Sequence, residues 1–221
     1  MIAVAIDGPS GAGKSTLARA AAKELGYIYV DTGACYRAVG LFALEKGIDP
    51  GDEAALEPLL PEAKVELVHR DGEQRVLLNG RDVSEAIRAP EMGEAASKVS
   101  ALPSVRAFLL NLQRDMAARQ NVIMDGRDIG TVVLPDAQVK IFLTASDEER
   151  ARRRYEEFVA NGQEISYNKV LEDMRSRDAR DAGRETAPLR EAADAIRIDS
   201  TGNAFEKTLS IILQTIWDKI L

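Results

Sequence analysis

Residues 2–16 read IAVAIDGPSGAGKST. A short apolar run enters a glycine-punctuated loop, and the loop ends in Lys-Ser-Thr as an alanine-rich stretch begins. Few folds accept this order. Five apolar residues without alternation fit a strand buried on both faces. The glycines let the backbone bend so that its N–H groups point inward at an anion. The stretch STLARAAAKEL, closed by Gly26, reads as a helix whose positive N-terminal end meets the loop. A second strand, YIYV, follows and completes a strand–helix–strand unit, which implies a parallel sheet.

Gly8, Gly13, Lys14 and Ser15 match G-x-x-x-x-G-K-[ST], the phosphate-binding loop pattern. Residues Gly8, Pro9, Ser10, Gly11, Ala12, Gly13, Lys14, Ser15 and Thr16 are therefore expected to hold a nucleoside triphosphate. Lys14 is placed on the outer phosphates, and the Ser15 hydroxyl is the expected Mg²⁺ ligand.

The strand–helix rhythm breaks between residues 50 and 90. AKVELVH alternates like a half-exposed strand, RDGE offers a hairpin turn, QRVLLN is a second strand, and NG turns again before RDV. Helices are expected over 90–101 and 103–120, each opened by a proline. The rhythm then returns with NVIMD, VKIFL, a helix capped by Ser146, a helix over 166–182, the strand AIRID and a closing amphipathic helix over 204–220. Core strands are expected at 2–6, 27–30, 121–125, 139–143 and 195–199. The fold class is α/β: a phosphate-loop core with a five-stranded parallel sheet flanked by helices, an inserted antiparallel hairpin and a helical lid.

Charge narrows the partners. The 221 residues carry 29 basic and 36 acidic side chains, a net charge of -7, which argues against a broad nucleic-acid footprint. No apolar run reaches the ~18 residues of a membrane span. With a single cysteine, Cys35, and no leader before the first strand, a cytoplasmic location is expected. Cys35 and Trp217 read as packing residues, His69 as a solvated strand residue, and Glu156 and Glu157 as part of a solvated face.

A loop that holds a triphosphate serves switches, motors and kinases alike. The chain has no N-K-x-D guanine-reading segment. A kinase of small acceptors needs cationic donors for a second anion, and arginine suits that task. Arg37 in DTGACYR, Arg127 in DGRD, and Arg177, Arg180, Asp181 and Arg184 in RSRDARDAGR are the candidates. The last four fall at i, i+3, i+4 and i+7, one helix face. The arginines between 150 and 190 also admit a plainer reading as a salt-bridged surface. Asp125, closing an apolar strand, is either structural or an organiser of Mg²⁺ through water.

IDGPSGAGKST, VDTGACYRA, MDGRDIGTVVLPDA with VKIFLTAS, and SRDARDAGRETAPL, together with the hairpin near 63–83, resemble the bacterial cytidylate kinase family over nearly the whole chain. Cys35, where a larger apolar residue is expected, and Thr32, where serine also occurs, are small departures. The resemblance implies transfer of the γ-phosphate of ATP to CMP or dCMP with Mg²⁺. It implies that Arg37, Arg127 and Arg184 face the CMP phosphate, that Ser97, Arg106 and Asp128 face cytosine, and that Arg177 and Asp181 lie near the ribose, with Thr32 among the CMP contacts. Lys14, Arg127, Arg177 and Arg184 become the expected catalytic residues. The implied organisation is one kinase domain: core 1–35, 102–149 and 186–221, a nucleotide-binding insertion over 36–101, and a lid over 150–185. A monomer that binds small nucleotides, with no nucleic-acid or membrane partner, is expected. A kinase of another monophosphate, or a nucleotide-binding regulatory or RNA-binding module, remain the competing readings.

Overall fold

The computed structural model describes residues 1–70 and 73–220. In chain order the elements are β1 (Ala3–Asp7), α1 (Lys14–Leu25), β2 (Ile28–Asp31), α2 (Thr32–Glu45), α3 (Glu53–Leu56), β3 (Val65–Arg70), β4 (Glu73–Leu78) and β5 (Arg81–Asp82). They continue with α4 (Met92–Val99), α5 (Pro103–Arg119), β6 (Val122–Gly126), β7 (Val139–Thr144), α6 (Asp147–Ala160), α7 (Tyr167–Ala182), β8 (Ile196–Asp199) and α8 (Phe205–Ile220). Two compact units result, Met1–Tyr29 with Gln120–Leu221, and Val30–Arg119.

The first unit is built on a five-stranded parallel sheet in the order β2-β6-β1-β7-β8. β1 lies at its centre, and Val4, Ala5 and Ile6 are fully buried, as an unalternating apolar strand requires. Its register aligns Asp7 with Gly126 on one side and with Phe142 on the other. The carboxyl ends of β1 and β6 therefore lie side by side, the usual place for a ligand on a parallel sheet. α1 packs Leu17, Ala18, Ala21 and Ala22 against Ile6, Ile123 and Ile141. α8 adds Ile212 and Ile216 to the same core.

Trp217 departs from its expected packing role and is 42% exposed. The buried stripe of α8 runs through Thr208, Ile212 and Ile216, spaced by four, and the next residue turns about 100° away from it.

The second unit packs α2, α4 and α5 with a small antiparallel sheet, β3-β4-β5. β3 and β4 pair from Val65 with Leu78 to Arg70 with Glu73. The expected turn at RDGE centres on residues 71 and 72, which lie outside the described residues. Val39, Phe42, Leu56, Val76, Leu78, Val99, Val105 and Leu109 form this unit's own core. The helix expected over 90–101 is shorter, Met92–Val99. Ala89 is extended before Pro90, and the entry bonds, Met92 to Ala89 and Gly93 to Pro90, span three residues and close a tighter turn.

Candidate active site

The phosphate loop leaves β1 through Gly8 at a φ of +148°, where an added Cβ would stand 1.9 Å from the Leu143 carbonyl oxygen. Only glycine fits this close approach to β7. Three and five residues on, Gly11 and Gly13 take φ values of +72° and +87°, and Gly13 leads into α1. Lys14, 5% exposed, turns back and donates from Nζ to the Pro9 carbonyl at 2.7 Å.

Burial, with the Arg127 and Arg177 guanidiniums nearby, holds the Lys14 ammonium well below the usual lysine range, against the opposing pull of Asp125 and Asp7. Lys14 of the loop thus meets cations from beyond β6 and from α7 that repel it in a desolvated place. An anion relieves that repulsion, and a polyphosphate is the anion whose geometry suits inward-pointing N–H groups.

Asp125 ends the apolar part of β6 at 4% exposure. Its two oxygens accept from Ser15 Oγ at 2.8 Å and from Tyr29 Oη at 2.9 Å. A hydroxyl beside a carboxylate at the first turn of α1 is an all-oxygen donor pair, which suits a hard cation such as Mg²⁺. The sequence left Asp125 either structural or an organiser of Mg²⁺ through water; its bonds join Ser15 of the loop, and also Tyr29, which the sequence did not signal.

Immediately after β6, Arg127 Nε donates to Asp181 at 3.0 Å, and its Nη1 donates to the Gly126 carbonyl at 3.2 Å. Arg184 bonds the other Asp181 oxygen. Asp181 is 1% exposed, so one buried carboxylate holds two guanidiniums at once. Paired arginines fixed by a shared acid make a fork of donors whose chemistry suits an anion.

The face of α7 differs from its expected composition. Arg180 is exposed, whereas Val170, Met174 and Asp181 are buried. The inward face runs through Met174, Arg177, Asp178 and Asp181. Arg184 lies beyond the helix end at Ala182 and Gly183, so its position follows from the chain leaving the helix.

Asp128 is 4% exposed and opens a wide turn over Ile129–Val133, in which its carbonyl accepts from Val132 and Val133. Asp7, at the end of β1, anchors that turn by accepting from Ile129 N–H at 2.8 Å and Gly130 N–H at 2.7 Å. Burial pushes the Asp7 carboxyl up to about 6, partly offset by those two hydrogen bonds.

The second unit carries the remaining candidates. Asp31 caps α2 by accepting from Ala34 N–H, and its other oxygen pairs with Arg37 at 2.6 Å. Thr32, 3% exposed, opens that helix. Gln74 of β4 brackets the Asp31 backbone, accepting from its N–H at 2.9 Å and donating to its carbonyl at 3.3 Å. Arg106, 7% exposed, donates to the Ser100 carbonyl at 3.1 Å and lies 5.6 Å over the Tyr36 ring. Ser97 is 3% exposed, and no hydrogen-bond partner meets its Oγ among the described residues. A buried hydroxyl left unsatisfied by the protein is suited to a ligand.

Three further residues at these sites gave no usable sequence signal. Asp7, Gln74 and Asp178 act through contacts 43 to 168 residues away along the chain. Arg150 was visible only as one arginine of a charged run, yet it is 4% exposed. Cys35 is fully buried in the second unit's core, and burial beside Asp31 pushes its thiol up to about 12.

A protein-family model described as Cytidylate kinase matches residues 4–218. The chain is 51% identical over 216 residues to a cytidylate kinase of Carboxydothermus hydrogenoformans, covering 98% of this chain and 97% of that one. It is 52% identical over 206 residues to a cytidylate kinase of Geobacter sulfurreducens, covering 93% and 88%. Among solved structures, an uncharacterized protein from Eubacterium ventriosum aligns over 98% of both chains with a TM-score of 0.54 at 13% identity, a likeness of fold.

Proposed function

The chain belongs to the cytidylate kinase family, and from that premise we propose that it transfers the γ-phosphate of ATP to CMP or dCMP, giving ADP and CDP or dCDP. It is a nucleoside monophosphate kinase, a phosphotransferase with a nucleotide donor. The observation that carries the reading is the charge arrangement at the ends of β1 and β6. Buried Lys14 in the donor loop and the Arg127–Asp181–Arg184 fork are cationic devices with room for negative charge on both partners.

Such a transfer asks little covalent chemistry of the protein. The CMP phosphate oxygen is already anionic, so positioning and charge stabilisation dominate. Lys14 follows the transferring group, Arg127, Arg177 and Arg184 offset repulsion between the two nucleotides, and Arg37 binds the acceptor phosphate. Ser15 and Asp125 would hold Mg²⁺, which supplies further charge neutralisation when bound. Asp128 accepts from the cytosine N4 amino group, while Ser97 and Arg106 meet its N3 and O2 acceptors. Asp181 and Thr32 complete the CMP contacts. The Ser97 hydroxyl, unpartnered among the described residues, and the half-buried Arg37 are consistent with these roles. The division into core, nucleotide-binding insertion over 36–101 and lid over 150–185 belongs to the same proposal, as do a monomeric state, a cytoplasmic location and the absence of nucleic-acid partners. Among the described residues no helix is long and apolar enough to cross a membrane.

A panel of five monophosphates tests the reading, with Asp128→Ala beside the unaltered chain. CMP and dCMP should be phosphorylated well and UMP, AMP and GMP poorly. Uracil would turn a carbonyl toward Asp128, and a site built on hydrogen bonds discriminates strongly against such an analogue. Asp128→Ala should lose at least ~10-fold of CMP-over-UMP selectivity, about the worth of one buried hydrogen bond. Unchanged selectivity would remove Asp128 from the cytosine site, and equal use of all five acceptors would overturn the reading.

A further inference from the structure

The arginine-rich helices α6 and α7 do more than flank the donor loop. Ser10 is held on both sides of its backbone. Its N–H donates to Asp178 Oδ1 at 3.1 Å, and its carbonyl accepts from Arg150 Nη1 at 2.8 Å. Arg150 and Asp178 also bond each other, which closes a ring of three interactions around one loop residue. Arg150 is itself fixed, donating from Nε to the Ala145 carbonyl at 3.1 Å and from Nη2 to Asp147 at 2.5 Å. At the next residue the fit is equally close. A Cβ on Gly11 would come within 3.0 Å of the Arg150 carbonyl oxygen and of Met174 Cε. Met174 in turn packs with Ala151 and Val170, which join α6 to α7.

We propose that Arg150 and Asp178 are positioning residues for the donor loop, a clasp that holds the Ser10 peptide so that the loop's N–H groups are preset for phosphate. Binding requires those N–H groups to share one orientation, yet the loop contains Gly8, Gly11 and Gly13, which sample more backbone conformations than other residues. Each residue fixed costs conformational entropy, and a loop fixed in advance spares the nucleotide that cost. Arg150 grips an acceptor of the loop and Asp178 a donor, and their mutual ion pair makes each grip depend on the other. Neither side chain needs to touch the nucleotide. This inference deepens the reading of the site as an ATP-dependent kinase and rests on it.

The test uses the full chain with Asp178→Ala, Asp178→Asn, Arg150→Met and the double variant. Asp178 is at the rim of the clasp with 18% of its side chain exposed, so its replacement leaves the core intact. Asp178→Ala should raise KM for ATP about tenfold, the scale of one lost charge-assisted hydrogen bond, while KM for CMP stays within about twofold. Asp178→Asn keeps an acceptor for the Ser10 N–H and should recover most of that loss. Arg150→Met with Asp178→Ala should be no worse than the more damaging single change, because the two grips act as one unit. Calorimetric ADP binding should follow the same order. Equal rises in both KM values, strictly additive losses, or tighter ADP binding in Asp178→Ala would overturn the clasp. Because ADP binding is read without any transfer, a chain inactive toward CMP would overturn the proposed function and leave the calorimetry to decide on the clasp.

Discussion

Lys14 is the side chain where stability and the proposed function pull in opposite directions. Burial and the Arg127 and Arg177 guanidiniums lower its pKa, so the folded chain binds this proton less tightly than the unfolded chain does. The sign follows from linkage. The penalty is fully present below the folded pKa and fades as pH rises toward the ordinary 10.5. At neutral pH the Lys14 charge therefore opposes folding of the ligand-free chain. Lys14→Met should lower CMP-dependent turnover by at least ~10³-fold, the scale of a lost transition-state donor. It should also raise the ligand-free melting temperature by a few degrees, about 1 kcal/mol. A lowered melting temperature would show that its bond to Pro9 outweighs the buried charge. The place of Lys14 in the loop was legible in the sequence because a local spacing, strand then loop then helix, specifies it. Asp178 and Gln74 were not, because an aspartate in a charged helix or a glutamine in a strand acquires meaning only when the fold delivers a distant backbone to it.

At the scale of elements, the junctions between strand ends and the turns beyond them organise the site. The parallel register sets the end of β1 beside the end of β6, and Asp7 turns that adjacency into a joint by bonding the turn over Ile129–Val133. The sequence displayed both strands plainly, as unalternating apolar runs. It did not display the wide turn, because neither glycine nor proline spacing announces one, and its anchor lies 122 residues upstream. For the same reason α7 was placed correctly while its inward face was misjudged. Four spaced polar residues define a stripe, but the packing of Val170 and Met174 against α6 decides which way it turns, and Arg180 is left in solvent. The Asp7 joint has a measurable consequence. Its carboxyl rises from 3.8 to about 6, so its favourable contribution is complete below 3.8 and is lost as pH rises through about 6, a swing of about 3 kcal/mol. Carbon NMR of the Asp7 carboxyl should show a midpoint near 6 in the folded chain. A midpoint below about 4.5 would mean that the two backbone N–H bonds outweigh burial.

For the molecule as a whole, the α/β class, the parallel sheet and the inserted hairpin were readable from periodicity and turn residues. Each of the two units has its own apolar core. The donor loop and the Arg127–Asp181–Arg184 fork belong to the first unit, and Thr32, Arg37, Ser97 and Arg106 to the second. The central claim is that buried cations here serve the passage of one phosphoryl group from a nucleoside triphosphate to cytidylate. Phosphorus NMR of a mixture of ATP, Mg²⁺, CMP and the protein reads both ends of that passage at once. The account predicts that CDP and ADP resonances grow in equal amounts with no inorganic phosphate. Growth of ADP and inorganic phosphate without CDP would contradict it.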